Sequence, residues 1–336
     1  MSSSISSSEA SPGEWARWLA TFLGALALGS ALVFAFVFVV EPYDSGRFGL
    51  LGPGIADGSP RTANASRARD PNYDSAVIGN STGQLLKPSE LSRLTGKRFV
   101  QLTIPGTGPR EQHAVMDFFI RTHAHIGALV IDTDEGFCLH DPDPPLQHPF
   151  PFWLYGESTL DYVGRLFSTR ALGSAGRRVL IRLGLRKRSE PDGYWDYEAL
   201  GPREFQPVIT EQPETASASP AIVDENFPAV AQLDAALRKL PADVPVVLFV
   251  PPVFYSKLAR PGSAAAAEQA ACHSALKRLV AGRANSNFID YRIDNALTRD
   301  RANFMDFGHY RAIIARRMEQ GIADSIRLGD KASVAF

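Results

Sequence analysis

Apolar and polar residues alternate in blocks along most of the chain, and the blocks predict strands separated by helices. Five short apolar runs have the length and composition of buried strands. They occupy residues 75–78, 99–104, 127–132, 245–250 and 287–291. Stretches of helical composition separate them, among them residues 111–125, 229–240 and 263–283. This alternation predicts an α/β fold with a parallel sheet covered by helices on both faces.

The clearest helix is the last one, over residues 310–328. Apolar side chains recur there every four positions, at Ile314, Met318, Ile322 and Ile326, while charged side chains take the other faces. This spacing predicts an amphipathic helix that packs on the sheet as an outer layer.

Residues 19–40 form a long apolar stretch without a charged side chain. At about 1.5 Å per residue, a helix of this length reaches roughly 33 Å, enough to cross a bilayer. Arg17 and Glu41 close its two ends, and Trp15 and Trp18 lie where interfacial aromatic residues are expected. A cleaved signal peptide has a shorter apolar region and a small-residue cleavage site. The prediction is therefore an uncleaved single-pass membrane anchor.

The anchor divides the chain into a short tail and a large domain. Residues 1–18 form the N-terminal tail, and residues 41–73, rich in Gly, Pro, Ser, Ala and Arg, are predicted to be a surface linker. The globular domain covers residues 74–330. Within it, residues 138–225 break the strand–helix alternation and are predicted to be an insertion beside the ligand-binding edge of the sheet.

The charges around the apolar stretch leave its orientation open. Arg17 stands before it, whereas Arg47, Arg61, Arg67 and Arg69 follow it. The positive-inside count taken literally favours a cytoplasmic main domain. The rule weakens for long domains and for residues far from the span, so the charge count does not determine on which side of the membrane the main domain lies.

Composition narrows the class of function. The chain has 336 residues, of which 45% are hydrophobic and 21% are charged, so it can bury a sizeable core. Its formal net charge of -1 gives no general attraction to a phosphate backbone, which argues against nucleic-acid binding. Its two cysteines, Cys138 and Cys272, could form one bridge in an oxidising compartment.

Ser81 ends the first predicted strand, at a turn where a helix should begin. Ligands of open α/β sheets bind at this edge, and backbone N–H groups at a helix start can stabilise an oxyanion. Gly79 and Gly83 on either side leave room for a substrate. Ser81 is therefore a candidate nucleophile, although Ser81 or Thr82 as a simple helix cap is the commoner use of such residues.

A second candidate group lies just before the last helix. Asp306 and His309 are three residues apart, so the carboxylate can reach the near imidazole nitrogen and leave the other nitrogen free as a base. The alternative is an Asp that caps the helix beside a His that bonds to the backbone.

Other polar and aromatic clusters have simpler explanations. The four aspartates Asp132, Asp134, Asp141 and Asp143 lack the Gly and Glu spacing of a calcium loop, so they are predicted to be surface acids and no metal site is expected. The aromatic clusters at 150–155 and 194–197 suit packing somewhat better than sugar stacking. The basic stretch 177–188 is predicted to be a solvated helix face, with anionic lipid or an acidic polysaccharide as alternative contacts.

Together, Val77-Ile-Gly-Asn-Ser81 and Asp306-x-x-His309 resemble the motifs of the SGNH (GDSL-like) hydrolase superfamily. The resemblance is to its membrane-anchored extracytoplasmic branch, which includes alginate O-acetylation proteins and the D-alanyl transfer protein of teichoic acid. It implies a three-layer α/β/α, flavodoxin-like fold in which Ser81 is the nucleophile, His309 the base and Asp306 the residue that orients it. It also implies an oxyanion hole from Ser81 and Gly106, with Gly108 as the alternative glycine.

One block departs from that pattern. Members of the superfamily usually place an asparagine after the third strand as an oxyanion donor, whereas residues 131–135 here read Ile-Asp-Thr-Asp-Glu. A carboxylate cannot donate a hydrogen bond unless it is protonated. The site then lacks this donor, replaces it with another group, or is catalytically weak.

The resemblance implies an esterase or O-acyltransferase without a cofactor, which acetylates or deacetylates a cell-surface or exported polysaccharide. Its partners are then an acyl donor, a carbohydrate acceptor and a membrane-bound acyltransferase, and its main domain is periplasmic on the inner membrane. The alternative is a weakly active or inactive scaffold or binding subunit of a polysaccharide assembly complex. A general lipase-like esterase would require a broad apolar cleft, for which no long apolar loop is seen.

Overall fold

A parallel five-stranded sheet forms the centre of the protein. The structure is a computed structural model that describes residues 11–48, 58–186, 189–198, 201, 204–207 and 225–329. The strands are β1 (Ser75–Ile78), β2 (Phe99–Gln101), β3 (Ala128–Asp132), β4 (Val246–Val250) and β5 (Asn287–Asp290). All paired neighbours are parallel, in the order β2-β1-β3-β4-β5. The predicted α/β class with a parallel sheet is confirmed.

Helices connect and flank these strands. They are α1 (Pro12–Val40), α2 (Pro60–Ala68), α3 (Pro88–Thr95), α4 (Pro109–Thr122), α5 (Phe152–Tyr155), α6 (Thr159–Leu166), α7 (Thr169–Arg182), α8 (Pro228–Leu237), α9 (Ala264–Val280), α10 (Ala296–Arg299) and α11 (Ala312–Leu328). The amphipathic last helix predicted from the four-residue spacing is α11, and its predicted apolar stripe is buried.

Alternate strand residues face two separate cores. On one face, Val77, Val130 and Val247 pack with side chains of α3 and α11. On the other face, Leu129 and Leu248 pack with side chains of α4, α8 and α9. Since both faces are covered, every strand except β5 is fully buried, as its continuous apolar sequence requires.

The strand order reverses next to β1. The chain passes from β1 to β2 on one side and then returns to place β3 on the other side. In doubly wound sheets, ligands bind beyond the carboxyl ends of the strands at this point. The ends of β1 and β3, at residues 79–81 and 133–135, are therefore where a site is expected.

Helix α1 is long and apolar enough to cross a membrane, and most of its side chains are exposed. Its C-terminal turns are different, because Val37 and Val40 are buried against the domain and Phe34 packs on Phe167 just beyond α6. The apolar helix is thus joined directly to the domain.

Buried charges fix this junction. The Arg178 guanidinium, from α7, donates to the carbonyls of Val40 (2.8 Å) and Glu41 and pairs with Asp44 at 3.2 Å. Arg69 pairs with the same carboxylate at 2.7 Å. Because a buried charge requires compensating partners, this network holds the chain leaving α1 in one position.

The predicted surface linker over residues 41–73 contains a buried helix, α2, that packs on α4 and β2. Ser59 caps its N-terminus through a hydrogen bond to the Arg61 N–H, and Pro60 occupies its first turn. Its buried apolar residues are alanines, which pack closely without producing a pattern of large apolar side chains. The linker prediction is therefore wrong for residues 60–68, whereas residues 49–57 lie outside the described part.

The predicted insertion, residues 138–225, packs in two places. Helices α5 to α7 pack against α1, α2 and α4, where Tyr155 and Tyr162 are fully buried. Packing is thus the explanation for most of the cluster at 150–155. Tyr197 of the second aromatic cluster instead lies beside Ser81, as described below. Residues 187–188, 199–200, 202–203 and 208–224 fall outside the described part.

A disulfide joins Cys138 to Cys272 on α9, with their Cα atoms 5.5 Å apart. The sequence left this pairing open. The bond closes a loop across 134 residues, from the segment after β3 to the helix before β5. Loss of a native disulfide costs small domains about 2–5 kcal/mol, because the cross-link restricts the unfolded chain.

Candidate active site

Ser81 lies on the turn beyond β1, at the carboxyl edge of the sheet. Gly79 makes this turn possible, because a Cβ atom at that position would lie 2.5 Å from the Cβ of Asp132 on β3. The ends of β1 and β3 can therefore approach only with glycine here. The result is a serine at the point where the strand order reverses, as expected from the sequence.

His309 reaches Ser81 from the loop before α11. Its Nε2 atom is 2.9 Å from the Ser81 Oγ, and its Nδ1 atom is 2.8 Å from Oδ2 of Asp306. A carboxylate cannot donate, so Nδ1 must carry the proton that it shares with Asp306. Nε2 is then free to accept the proton of the Ser81 hydroxyl. The structure thus brings together all three residues that the sequence singled out.

Asp306 is held in its charged form. Partial burial raises the pKa of this carboxyl, but hydrogen bonds from His309 and the Gly308 N–H, together with the imidazole charge, outweigh burial and bring the pKa to about 2. The N–H groups of Gly308 and His309 donate to Oδ1 at 2.7 and 2.8 Å. Asp306 is therefore ionised at neutral pH and oriented by its own loop.

Two tyrosines clamp the turn that carries Ser81. The Tyr197 hydroxyl donates to the Ser81 carbonyl at 3.1 Å, and the Tyr310 hydroxyl donates to the Thr82 carbonyl. Burial raises the pKa of Tyr197, which keeps it a neutral donor. Its ring also stands edge-to-face on His309, with centroids 6.1 Å apart.

Sequence reasoning gave these tyrosines no role at Ser81. Tyr197 belongs to an aromatic cluster that was explained by packing or sugar stacking, and it lies far from Ser81 along the chain. Tyr310 directly follows His309, which is the only signal that could have suggested a place near the site.

Two backbone N–H groups are available for an oxyanion. The N–H groups of Ser81 and Gly106 donate to no acceptor in the described part of the chain. Gly108, the alternative glycine, donates its N–H to the Glu111 carboxylate at 3.1 Å. Gly106 has a φ of 65°, a left-handed conformation that favours glycine. Its availability makes Gly106 the better of the two candidates.

The acids after β3 do not replace the missing asparagine. Asp132 is fully buried and accepts a hydrogen bond from the Thr82 hydroxyl at 2.6 Å, so the surface-acid prediction is wrong for this residue. Burial, reinforced by the charge of Asp134, raises the pKa of Asp132. Asp134 accepts a hydrogen bond from the Asn80 amide. Asp132 and Asp134 thus bind the residues on either side of Ser81, and their carboxylates supply no hydrogen-bond donor to the cleft.

A cleft of about 490 Å³ opens in front of Ser81 and His309. Polar side chains line part of it, including those of Arg110, Lys257 and Arg292, and an apolar part of the wall comes from Leu139, residues 144–146 and Val253. This volume suits a small ligand or part of a larger one. It is not the broad apolar cleft of a general lipase.

The arrangement has the parts needed for covalent acyl transfer: a hydroxyl in hydrogen-bonding contact with an imidazole, a carboxylate hydrogen-bonded to that imidazole, and backbone N–H groups without an acceptor in the described part, on residues that line the same cleft. Comparison with protein-family models, with curated proteins and with solved structures finds no match for this chain.

Proposed function

We propose that this chain is a membrane-anchored serine esterase or O-acyltransferase of the SGNH type, with the flavodoxin-like three-layer fold of that superfamily. The observation that carries the proposal is the hydrogen-bonded triad of Ser81, His309 and Asp306. The Ser81 Oγ lies 2.9 Å from His309 Nε2, and His309 Nδ1 lies 2.8 Å from Asp306 Oδ2. These residues come from opposite ends of the domain. A scaffold has no evident use for all three in this geometry.

The proposed reaction proceeds through an acyl-enzyme. The Ser81 Oγ attacks the ester carbonyl while His309 Nε2 takes its proton, and the N–H groups of Ser81 and Gly106 hold the negative oxygen. The tetrahedral intermediate collapses, the carbon–oxygen bond to the leaving alcohol breaks, and His309 returns the proton to that alcohol. An acceptor hydroxyl, or water, then loses its proton to His309 and attacks the acyl carbonyl. The bond between the acyl carbon and Ser81 Oγ breaks, and His309 returns the proton to Ser81 Oγ.

The acyl group that we propose is acetyl, and the acceptor is a hydroxyl of a cell-surface or exported polysaccharide. The polar side chains that line part of the cleft support a sugar, while the apolar part of its wall suits a small acyl chain. A membrane-bound acyltransferase is the proposed source of the acyl group.

We place the main domain on the outer side of the inner membrane. The Cys138–Cys272 disulfide supports this orientation, because such bonds persist in oxidising compartments and are rare in the cytosol. Alkylation of thiols in acid-quenched cells tests it. We expect both cysteines to react only after reduction, whereas reaction without reduction would place the domain in the cytoplasm.

A second candidate function is a catalytically weak scaffold or binding subunit of a polysaccharide assembly complex. The observation that favours it is the absence, in the described cleft, of an asparagine donor after β3, where Asp132 and Asp134 are engaged in the turn. Removal of one oxyanion donor typically costs about 10²–10³ in rate.

A tagged fluorophosphonate distinguishes the two candidates. An activated serine oxygen attacks the phosphorus, forms a covalent bond and expels fluoride. We expect the full-length protein in detergent to be labelled at Ser81, as located by mass spectrometry, and to lose labelling in His309→Ala. The exposed Ser256 is the internal control for non-specific reaction. A folded protein without label at Ser81 would support the scaffold instead.

A further inference from the structure

A second cavity, separate from the cleft at Ser81, lies between the end of α1 and the start of α2. Its volume is about 760 Å³. Tyr43 comes from the chain just beyond α1, Arg61 from α2, and Trp153 from α5. Helices α6 and α7 and the loop residues 148–151 also contribute to the wall. Residues from distant parts of the sequence are thus brought to one pocket, which we call the arginine pocket.

The arginine pocket is strongly positive. Arg61, Arg165, Arg170 and Arg177 line it, and none of the described residues around it is an Asp or Glu. Arg165 and Arg170 form no ion pair with any carboxylate in the described ranges. Several cationic side chains that line one cavity give it a positive potential, which attracts anions. The charge therefore points to an anionic ligand.

An aromatic wall faces these arginines. The rings of Tyr43 and Trp153 meet edge-to-face with centroids 5.4 Å apart, and Phe150 adds to the same lining. Aromatic rings with a polar edge suit the boundary between water and lipid. The pocket thus combines a cationic side with an apolar side, as an amphiphilic ligand requires.

The pocket lies at the expected level of the membrane surface. Tyr43 follows closely on the last residue of α1, and α6 and α7 pack along the C-terminal end of that helix. Helix α6 and the residue after it expose apolar side chains, with Leu160 85% exposed and Phe167 61% exposed. Exposed apolar residues beside cationic ones are typical of surfaces that contact a membrane.

The wall between the pocket and the cleft is thin. Arg61 donates to the carbonyls of Pro105 and Gly106 at 2.9 and 3.0 Å. His148 lines the pocket, while its neighbour Gln147 lines the cleft. The two cavities are thus adjacent: the arginine pocket is lined by cationic and aromatic side chains, and the cleft contains Ser81 and His309.

We propose that the arginine pocket binds the phosphate head group of an anionic membrane lipid. Guanidinium groups form charge-assisted hydrogen bonds with phosphate oxygens, and the aromatic wall contacts the glycerol and upper acyl chain. The continuity of this surface with α1 favours a lipid over a soluble anion. The inference does not depend on chemistry at Ser81, and its test contains no activity measurement.

The test measures lipid binding by the full-length protein in an uncharged detergent. Dihexanoyl phosphatidylglycerol is the probe, dihexanoyl phosphatidylcholine is the zwitterionic control, and inorganic phosphate represents a free anion. Trp153 lines the pocket, so its fluorescence reports occupancy, and Trp153→Phe identifies its share of the signal. We expect saturable binding of the phosphatidylglycerol and a response at least about tenfold weaker to either control ligand.

Two matched double variants locate the binding site. Arg165→Gln/Arg170→Gln removes two charges from the pocket and is expected to weaken phosphatidylglycerol binding at least about tenfold. Arg182→Gln/Arg186→Gln removes two charges from the exposed end of α7 and the residues after it, outside the pocket, and should bind like the parent. Equal binding by both variants, or equal affinity for phosphatidylcholine, would overturn the proposal. Inorganic phosphate binding as tightly as the lipid would identify a free-anion site and also overturn it.

Discussion

Ser81→Ala is expected to slow the hydrolysis of p-nitrophenyl acetate by about 10³ to 10⁶-fold in kcat, with the fold unchanged. The substitution removes the oxygen that forms the acyl-enzyme and leaves the carboxyl edge of the sheet as it is. The Ser81 carbonyl still accepts from Tyr197, since that contact is to the backbone. The measurement is a comparison of kcat for the full-length parent and variant in the same detergent.

His309→Ala provides a second arm of this experiment. Because Ser81 and His309 act as one unit, the double variant should be about as slow as either single variant rather than slower by the product of both losses. Ser256→Ala, an exposed serine near the cleft, is the control for loss of a hydroxyl and should keep the parent rate. A parent no faster than Ser81→Ala would remove the main support for an enzyme.

The full chain is the right material for this test. Val37 and Val40 at the end of α1 are buried in the domain, and the backbone carbonyls of Val40 and Glu41 accept hydrogen bonds from the buried Arg178. A fragment that begins after this junction would leave Arg178 without these partners. Such a loss typically destabilises a fold by several kcal/mol, which would confuse instability with inactivity.

The sheet could be predicted because each strand carries its own signal. A continuous apolar run, as in β3 and β4, is typical of a strand buried on both faces, whereas β5 has polar residues at its ends and is only partly buried. The intervening helices favour parallel pairing. Helix α2 carries no such signal, since its buried apolar residues are all alanines and its other buried residues, Asn64 and Ser66, are polar. Small residues pack as tightly as large ones, but they do not produce the periodic spacing of large apolar residues from which a buried helix is predicted.

The site residues could be predicted only where they lie at the end of a strand or at the start of a helix. Ser81 ends a strand and His309 precedes a helix, so topology alone brings them to one edge. Tyr197 reaches that edge from within the insertion, whose path the sequence does not determine. Likewise, the sequence predicts a surface acid at Asp132, because the close approach of the Gly79 backbone to Asp132 exists only in the folded chain.

The arginine pocket shows the same limit. Arg165, Arg170 and Arg177 belong to neighbouring helices with an ordinary basic pattern, and the sequence predicts a solvated face for the stretch that begins at Arg177. Their convergence with Arg61 depends on how α6 and α7 pack against the end of α1. Charge patterns along a chain therefore indicate exposure, whereas a binding pocket appears only when the helices are placed.

Asp306→Asn is expected to reduce kcat for the same ester by about 10² to 10⁴-fold at pH 7. An asparagine amide can donate to His309 Nδ1, which shifts the proton to Nε2. The imidazole then faces the Ser81 hydroxyl with a donor and can no longer take its proton. The measurement is kcat across pH, with circular dichroism to confirm that the variant is folded.

The pH dependence of this variant has a defined sign. The pKa of Asp306 in the folded protein, about 2, is below its ordinary value, so its contribution to stability is present above about pH 4 and is lost as the pH falls towards 2. The parent should lose this contribution on acidification, and Asp306→Asn should not. Asp141→Asn, at an exposed acid, controls for loss of a carboxylate and should match the parent in rate. Parent-like hydrolysis by Asp306→Asn at pH 7 would show that Asp306 does not orient His309 for catalysis.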